Sequence, residues 1–483
     1  MLSLSRLHDL SKAHAAVVLL ALGICFMLFN SLPILETRPK ISSDEALSIS
    51  IARNLLQNGG LNIETAPGVP YPYPHLIQST GYPVTIPLAG VFGVFGFSFT
   101  AARLYMLAWM LAAVCALFFF LRSIVSKEIA AGSALLLLSF ASFYANGRTV
   151  VGEIPGFAFL LVGLYFWITR KNVWLAGLFW SLAVVTKPSV FVLIVPALGI
   201  PLLIEKNTVL EKIKNITKIG LAMVPAAALG IYLAIPQFFT PRAWTDIGGF
   251  FANPYGESVS HTMYTNLLNV PQSTTLIYFG ALYALILFAT RHVETKLRLL
   301  YIFVSVYSLL AFMYYLRSPG WLRYILIAEF LILMLVPHAL TTLADRWSSL
   351  FGRAQTGIRS YGALLAVVFL VALQLVQYQT APDIYTSDNA LRSAEYVHTR
   401  FPNASVSVID LPQAFAVLLN ENRSLSFAPI GVPPLGENPL LTNTPEDVFI
   451  LNRDHLPAAA IQNLDRHYSF ETAFNEYGVY RAK

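Results

Sequence analysis

Two adjacent carboxylates, Asp44 and Glu45, stand just after the first apolar segment of the chain. Ser42 or Ser43 is a suitable N-cap for a helix that runs to about Gln57. Asp44 then lies in the first turn of this helix. An ionised carboxylate at the edge of a membrane is costly, so its presence there suggests a function. General-base catalysis is one such function. The alternative is that acidic residues simply favour helix N-termini.

Two further stretches place charges at the ends of apolar segments. Arg148 and Glu153 lie in a short linking turn, N-G-R-T-V-V-G-E-I-P. They could form an ordinary surface ion pair, but neutral residues would be cheaper at the rim of a bilayer. Lys187 interrupts the apolar run Val173–Ile204, so its ammonium either snorkels to the interface or faces a polar cavity.

The stretch L-R-S-P-G-W-L-R-Y carries Arg317, Arg323 and Tyr324. Two guanidinium groups beside aromatic rings form a candidate phosphate-binding site, because the planar guanidinium matches phosphate oxygens. The alternative is interfacial anchoring by arginine and aromatic side chains.

The segment Pro67–Pro87 is rich in proline and contains His75. Each proline removes a backbone donor, so the segment is predicted not to form a regular helix. It leads into Val84–Phe97, which is apolar but too short to span a bilayer and predicts an interfacial or re-entrant helix. His75 is a candidate ligand or polar contact, although a lone histidine is more often simply hydrogen-bonded.

The composition sets these residues in a membrane. Of the 483 residues, 56% are hydrophobic and 12% are charged, against about 25% charged in soluble proteins. Mean hydropathy is +0.61. These values exclude a water-soluble globule, a disordered chain, a coiled coil and a collagen-like chain. The net charge of +6 indicates basic cytoplasmic loops and the lipid bilayer rather than nucleic acid as the partner.

Apolar runs of membrane-spanning character predict about 11 transmembrane helices. Basic residues concentrate on one side of these runs, which predicts a cytoplasmic N-terminus and, with an odd number of spans, an extracytoplasmic C-terminus. The predicted spans are 14–34, 100–122, 128–145, 154–169, 173–186, 188–204, 217–236, 273–290, 298–316, 322–340 and 361–380.

Two long segments are then expected on the outer face, the first loop at about 35–99 and the tail 381–483. The tail is more acidic, and its apolar runs shorten to strand length. Ala404–Leu411 and Asp447–Asn452 predict strands, while Ser387–Arg400 and Leu456–His467 predict helices. The tail is therefore predicted to be a small α/β domain.

The candidate residues gather at the outer face. A carboxylate base beside phosphate-binding cations at the level of the lipid headgroups suits the transfer of a group from a phosphorylated lipid. The carboxylate takes a proton from an acceptor hydroxyl or amine, and the cations stabilise the departing phosphate.

The order of these motifs over about 1–380 resembles the GT-C glycosyltransferases, especially the group of protein O-mannosyltransferases and the lipid A aminoarabinose transferase. The resemblance implies an all-α polytopic membrane domain of GT-C type at 1–380, followed by an extracytoplasmic small α/β domain at 381–483. The matching motifs are D-E at 44–45, G-Y-P at 81–83, F-G at 95–96, A-A-R-L at 101–104, Arg148 with Glu153 and Pro155, T-K at 186–187 and R-Y at 323–324.

By this resemblance, the donor is a sugar linked to undecaprenyl or dolichyl phosphate, and transfer inverts the anomeric centre. Asp44 is then the general base and Glu153 a second acidic site residue. Lys187 and Arg323 contact the lipid phosphate, with Arg148 and Arg317 as further candidates. An outer domain of this kind is typical of prokaryotic relatives, so a prokaryotic plasma membrane is expected.

The resemblance leaves a divalent metal ion open, because members of the family differ in metal dependence. Glu45 and His75 are the candidate ligands. The sugar, and whether the acceptor is a protein, a lipid or a glycan, are also open.

Two other classes remain as alternatives. A secondary transporter often shows inverted repeats and charges at the bilayer midplane, whereas this sequence shows no repeat and its charges gather at one face. An O-antigen-ligase-like or other lipid-phosphate enzyme shares the phosphate chemistry but does not need the D-E pair.

Overall fold

The computed structural model describes residues 4–71, 77–205, 208–234, 240–241, 244–245, 258–350, 356–379, 387–421, 423–429 and 446–483. Most of the described chain is helical. The helices before the tail are α1 (Leu4–Ser31), α2 (Ser43–Asn58), α3 (Tyr82–Phe95), α4 (Phe99–Arg122), α5 (Lys127–Ser139), α6 (Ala141–Tyr144), α7 (Glu153–Ile168), α8 (Val173–Thr186), α9 (Pro188–Phe191), α10 (Ile194–Ile204), α11 (Val209–Ala234), α12 (Val259–Asn269), α13 (Thr274–Thr290), α14 (Thr295–Arg317), α15 (Leu326–Leu350) and α16 (Thr356–Gln379).

In the part of the chain that the structure describes, each predicted span coincides largely with helical structure, but the helices differ in length. Within the described residues, five helices are long and apolar enough to cross a bilayer, or six if the bent pair α12–α13 forms one span. The two members of that pair meet at 85°. Several other apolar helices, such as α7 and α8, are shorter than a bilayer requires. The predicted count of eleven spans is therefore not confirmed.

Large apolar side chains cover the outside of the helical bundle. Phe29 of α1, Leu221 of α11 and Phe369 of α16 are more than half exposed. An apolar exterior of this extent is unfavourable in water and suits the hydrocarbon of a bilayer. The chain is thus an integral, multi-pass membrane protein.

The segment between α1 and α4, which is the predicted first outer loop, carries α2 and α3 and a two-stranded hairpin of β1 (Glu64–Ala66) and β2 (Val69–Pro70). The predicted interfacial helix is present as α3, but it begins earlier than expected. The prediction that the whole stretch to Pro87 is irregular is therefore wrong for its last residues. Pro83 occupies the first turn, where its missing N–H costs nothing, and only Pro87 interrupts the helical hydrogen bonding.

The tail forms a small domain. Its elements are α17 (Asn389–Arg400), β3 (Val406–Ile409), α18 (Pro412–Leu418), β4 (Leu425–Ala428), β5 (Val448–Leu451), α19 (Ala458–His467), β6 (Tyr468–Phe474) and β7 (Tyr477–Ala482). Its five strands form one sheet in the order β4-β3-β5-β7-β6. The strand β3 pairs in parallel with β4 and β5, while β7 pairs antiparallel with β5 and β6. The predicted strands and helices of the tail are confirmed, and β4, the β6–β7 hairpin and a short helix are additional. The predicted domain boundary at 380–381 lies outside the described residues.

The tail domain shares its hydrophobic core with the first outer loop. Ile41 and Leu47 of the loop are buried in the same cluster as Val397 and Phe415 of the tail. Next to this core, the Gln413 amide donates a hydrogen bond of 3.0 Å to the hydroxyl of Ser43, the residue of α2 that precedes Asp44. The tail therefore supports the helix that carries the predicted base.

Candidate functional site

Asp44 lies in the first turn of α2, as predicted. The Ser42 hydroxyl caps this helix by accepting the backbone N–H of Glu45 at 3.2 Å. The Asp44 Oδ2 atom accepts hydrogen bonds from two cationic groups, Arg323 Nη1 at 2.7 Å and Lys187 Nζ at 3.2 Å. Lys187 is 143 positions and Arg323 is 279 positions from Asp44 in the sequence. The fold therefore brings three distant predicted residues into one ion cluster.

Lys187 lies between two carboxylates. Its Nζ is 3.5 Å from Oε1 of Glu153, the first residue of α7, in addition to its contact with Asp44. The Lys187 side chain is only 3% exposed. The other Glu153 oxygen, Oε2, is buried and accepts no hydrogen bond from the described residues. Within the described part of the chain, Glu153 therefore keeps one acceptor atom that is not engaged.

Two glycines allow the backbone to pack closely against the turn that carries Lys187. A Cβ at Gly81 would stand 1.8 Å from the Val185 carbonyl oxygen, and one at Gly152 would stand 2.4 Å from that of Thr186. The Gly81 N–H instead donates to the Thr186 carbonyl at 3.0 Å. The G-Y-P motif and the turn before α7 thus fix the position of the lysine.

The ion cluster shifts the titration of its members. Burial by itself would raise the pKa of Asp44, but the charges of Lys187 and Arg323 outweigh burial and lower this pKa to about 2. Burial would lower the pKa of Lys187, and the carboxylates of Asp44 and Glu153 outweigh burial and raise this pKa. Asp44 and Lys187 are therefore both ionised at neutral pH.

Arg323 is the most exposed member of the cluster. Its side chain is 40% exposed, and its guanidinium carbon lies 4.5 Å from the ring centre of Trp321 and 5.5 Å from that of Tyr324. These rings hold the arginine by cation–π contact in the turn that precedes α15.

Glu45 does not join the cluster. Arg103 of α4 donates to both of its oxygens, at 2.9 and 2.8 Å, and both side chains are 0% exposed. Arg103 also donates to the carbonyls of Leu35 and Pro39, and the Val150 N–H donates to Glu45 at 3.3 Å. The pair thus ties the first loop to α4 and to the segment before α7.

Arg148 and Arg317 also lie apart from Asp44. Arg148 is buried and donates to the Arg38 carbonyl at 2.8 Å and to the Ser31 hydroxyl at 3.2 Å, which fastens the outer end of α1. Arg317 ends α14, and no ion pair within the described residues involves it. His75 lies outside the described residues.

The metal ligands suggested by the resemblance do not form a site within the described part of the chain. Both oxygens of Glu45 are engaged by Arg103, so they do not fit a metal ion. No group of three or more His, Cys, Asp and Glu side chains is arranged to hold a metal there.

Sequence reasoning missed Arg103 as a partner of the D-E pair. The signal was present, because an arginine four residues into an apolar span requires a buried anion or a polar cavity. Its partner could not be identified without the fold, because Glu45 is 58 residues away.

Known proteins share this architecture. Residues 85–236 match the model of the family described as dolichyl-phosphate-mannose-protein mannosyltransferase. A search of curated proteins gives no match.

Among solved structures, ArnT from Cupriavidus metallidurans bound to undecaprenyl phosphate superposes with a TM-score of 0.59 at 13% identity, covering 96% of this chain and 97% of that one. The Archaeoglobus fulgidus oligosaccharyltransferase in its apo form gives a TM-score of 0.55 at 13% identity, covering 94% of this chain and 69% of that one. Identities this low establish the fold alone. The resemblance to the GT-C glycosyltransferases is confirmed at that level.

Proposed function

We propose that the protein is a glycosyltransferase that moves a sugar from a polyprenyl-phosphate donor to an acceptor on the extracytoplasmic face of the membrane. Asp44 is the general base, Glu153 a second acidic site residue, and Arg323 and Lys187 the cations at the donor phosphate. Transfer inverts the anomeric centre, because one base activates the acceptor for a single direct displacement.

One observation carries this proposal. A single carboxylate oxygen of Asp44 lies within 3.2 Å of two cations, beside a second buried carboxylate, at the ends of several helices. A proton acceptor and a pair of phosphate-binding cations are the groups that glycosyl transfer from a lipid phosphate needs, and here they are in contact.

The proposed chemistry is balanced by these groups. The acceptor oxygen or nitrogen attacks the anomeric carbon, and its proton passes to Asp44. The bond between the anomeric carbon and the phosphate oxygen breaks, and the polyprenyl phosphate leaves with an additional negative charge. Arg323 and Lys187 stabilise that charge, and Glu153 Oε2 accepts a hydroxyl of the sugar or the acceptor.

The comparisons support a lipid-phosphate donor over a transported solute. An ArnT structure that shares the fold contains undecaprenyl phosphate. A structure of the archaeal oligosaccharyltransferase, with a TM-score of 0.53, carries a tethered acceptor peptide. An undecaprenyl or dolichyl carrier is therefore proposed here, with the acceptor a protein, a lipid or a glycan. The N-terminus is proposed to be cytoplasmic and the C-terminus extracytoplasmic.

A transfer assay tests the proposal. Purified protein in detergent is mixed with radiolabelled polyprenyl-phosphate sugars and membrane extract, and the label that leaves the lipid for a new product is counted. We expect wild type to transfer label and Asp44→Asn to lose at least about a hundredfold in rate.

The matched control is Asp465→Asn, which removes a carboxylate from an exposed ion pair in the tail domain and should keep full activity. Equal turnover in Asp44→Asn and wild type would remove Asp44 from the mechanism.

A further inference from the structure

The contacts of Asp44 raise a difficulty for its role as a base. Its Oδ2 atom is already engaged by two cationic donors, at 2.7 and 3.2 Å. A carboxylate held in this way has little tendency to take a proton, since both cations favour its ionised form. Proton transfer to Asp44 therefore becomes easier when at least one cation moves away.

The two cations are not equivalent. Lys187 is buried, with 3% of its side chain exposed, and its ammonium lies between two carboxylates, so it is held in place. Arg323 is 40% exposed, reaches Asp44 from the outer rim, and rests on the faces of Trp321 and Tyr324. Arg323 is thus the cation that can turn to a ligand while Lys187 stays in place.

From this asymmetry we infer that Asp44 and the donor phosphate compete for Arg323, so that the base is released only as the phosphate takes the arginine. The inference rests on the proposed function and specifies how its site is regulated. Arg323 is a shared ligand, bound to the carboxylate at rest and to the phosphate during transfer.

Charge movement along the reaction supports this exchange. The donor phosphodiester carries one negative charge, and the phosphate monoester that leaves carries up to two, since its second pKa is about 6. In the same step Asp44 becomes neutral by taking the proton of the acceptor. The charge that attracts Arg323 therefore grows on the phosphate while it disappears from the carboxylate.

The exchange has a consequence that simple phosphate binding does not have. Removing the charge of Asp44 should strengthen phosphate binding, because Arg323 no longer has a competing partner. Asp44→Asn is expected to bind undecaprenyl phosphate about tenfold more tightly than wild type, as the loss of one charge-assisted hydrogen bond would give.

The test is an equilibrium binding measurement on the full-length protein in detergent, with undecaprenyl phosphate and, separately, inorganic phosphate as probes. Asp465→Asn is the control for the loss of one carboxylate and should bind like wild type. Arg323→Gln should bind weakly, and adding Asp44→Asn to it should bring no gain. The gain in the single variant should appear with both probes, since the phosphate group is the competitor.

Equal or weaker binding by Asp44→Asn than by wild type would overturn the exchange. So would a gain that persists in the double variant, or one confined to the lipid probe. If Asp44→Asn is not monodisperse, Asp44→Ser removes the same charge and replaces it. The absence of undecaprenyl phosphate binding in every variant and in wild type would instead overturn the proposed function.

Discussion

Asp44 and Glu45 are consecutive residues in the same helical turn, yet they have opposite surroundings. Glu45 is fully buried, and both of its oxygens accept hydrogen bonds from one arginine. Asp44 is 15% exposed and shares one oxygen between two cations that come from different parts of the chain. The clamp, defined as Glu45 with Arg103, has every partner it needs within the protein.

The Asp44 cluster, defined as Asp44, Glu153, Lys187 and Arg323, is less complete. Glu153 keeps an acceptor without a donor among the described residues, and Arg323 is partly open to the outside. A saturated ion pair resists exchange and suits support, whereas an unsaturated one can change partners and suits chemistry. The two neighbouring carboxylates thus divide structure and reaction between them.

The strongest way to break this comparison is to remove one half of the clamp. Arg103→Met should lower the free energy of unfolding by about 3–5 kcal/mol, because it leaves the Glu45 carboxylate buried without a counter-charge. Thermal or denaturant unfolding in detergent measures the loss. The double variant with Glu45→Leu should recover part of it, because no charge then remains buried.

An Arg103→Met protein as stable as wild type would mean that the clamp carries no more free energy than a surface pair. The distinction between support and chemistry would then have no energetic basis at α2.

Removing Lys187 tests the other side of the comparison. Lys187→Met leaves two carboxylates, Asp44 and Glu153, without the cation between them. It also removes the largest of the charges that lower the pKa of Asp44, so this pKa should rise. We expect the transfer rate to fall about a hundredfold and to recover partly as the pH rises. The exposed lysine variant Lys214→Met is the control and should keep its rate. A Lys187→Met enzyme with full activity would place this lysine with the supporting residues.

Much of the Asp44 cluster could be predicted from sequence, because a membrane restricts where charges can lie. The cap at Ser42, the lysine at the end of α8 and Arg323 before α15 all sit at the boundaries of apolar runs. Such boundaries at one face of a bundle must be near each other. The clamp was not predicted, because the pairing of Glu45 with a buried arginine depends on how α2 packs against α4.

The tail was predicted less completely for a different reason. The strands β3 and β5 are fully buried and mostly apolar, whereas β6 has partly exposed residues along its length and no clear alternation. Its pairing with β7 is set by tertiary contacts rather than by local pattern. The support that Gln413 gives to α2 is likewise a contact between distant segments, which no spacing in the sequence indicates.

The pH dependence of stability sharpens the description of Asp44. Its pKa in the folded protein, about 2, is below the ordinary value of 3.8, because burial would raise this pKa but the charges of Lys187 and Arg323 outweigh burial. Its stabilising effect is therefore present above about pH 4 and lost as the pH falls through 2. The difference in unfolding free energy between wild type and Asp44→Asn should shrink from about 2 kcal/mol at pH 6 toward zero near pH 2. A difference that stays constant over this range would show that the ion contacts do not stabilise the carboxylate.

The smallest effect is expected at a solvent-exposed ion pair between the first loop and the tail domain. Lys40 of the first loop contacts Glu476 of the tail at 3.0 Å, and both side chains are partly exposed. Lys40→Ala should lower the unfolding free energy by at most about 1 kcal/mol and leave the transfer rate unchanged, since water and salt screen such a pair. Unfolding at low and high salt provides the measurement, and high salt should remove the difference from wild type. If Lys40→Ala instead matched Arg103→Met in its cost, burial would not be what separates the clamp from other ion pairs. In that case the contrast between Asp44 and Glu45 would have to come from hydrogen-bond geometry alone.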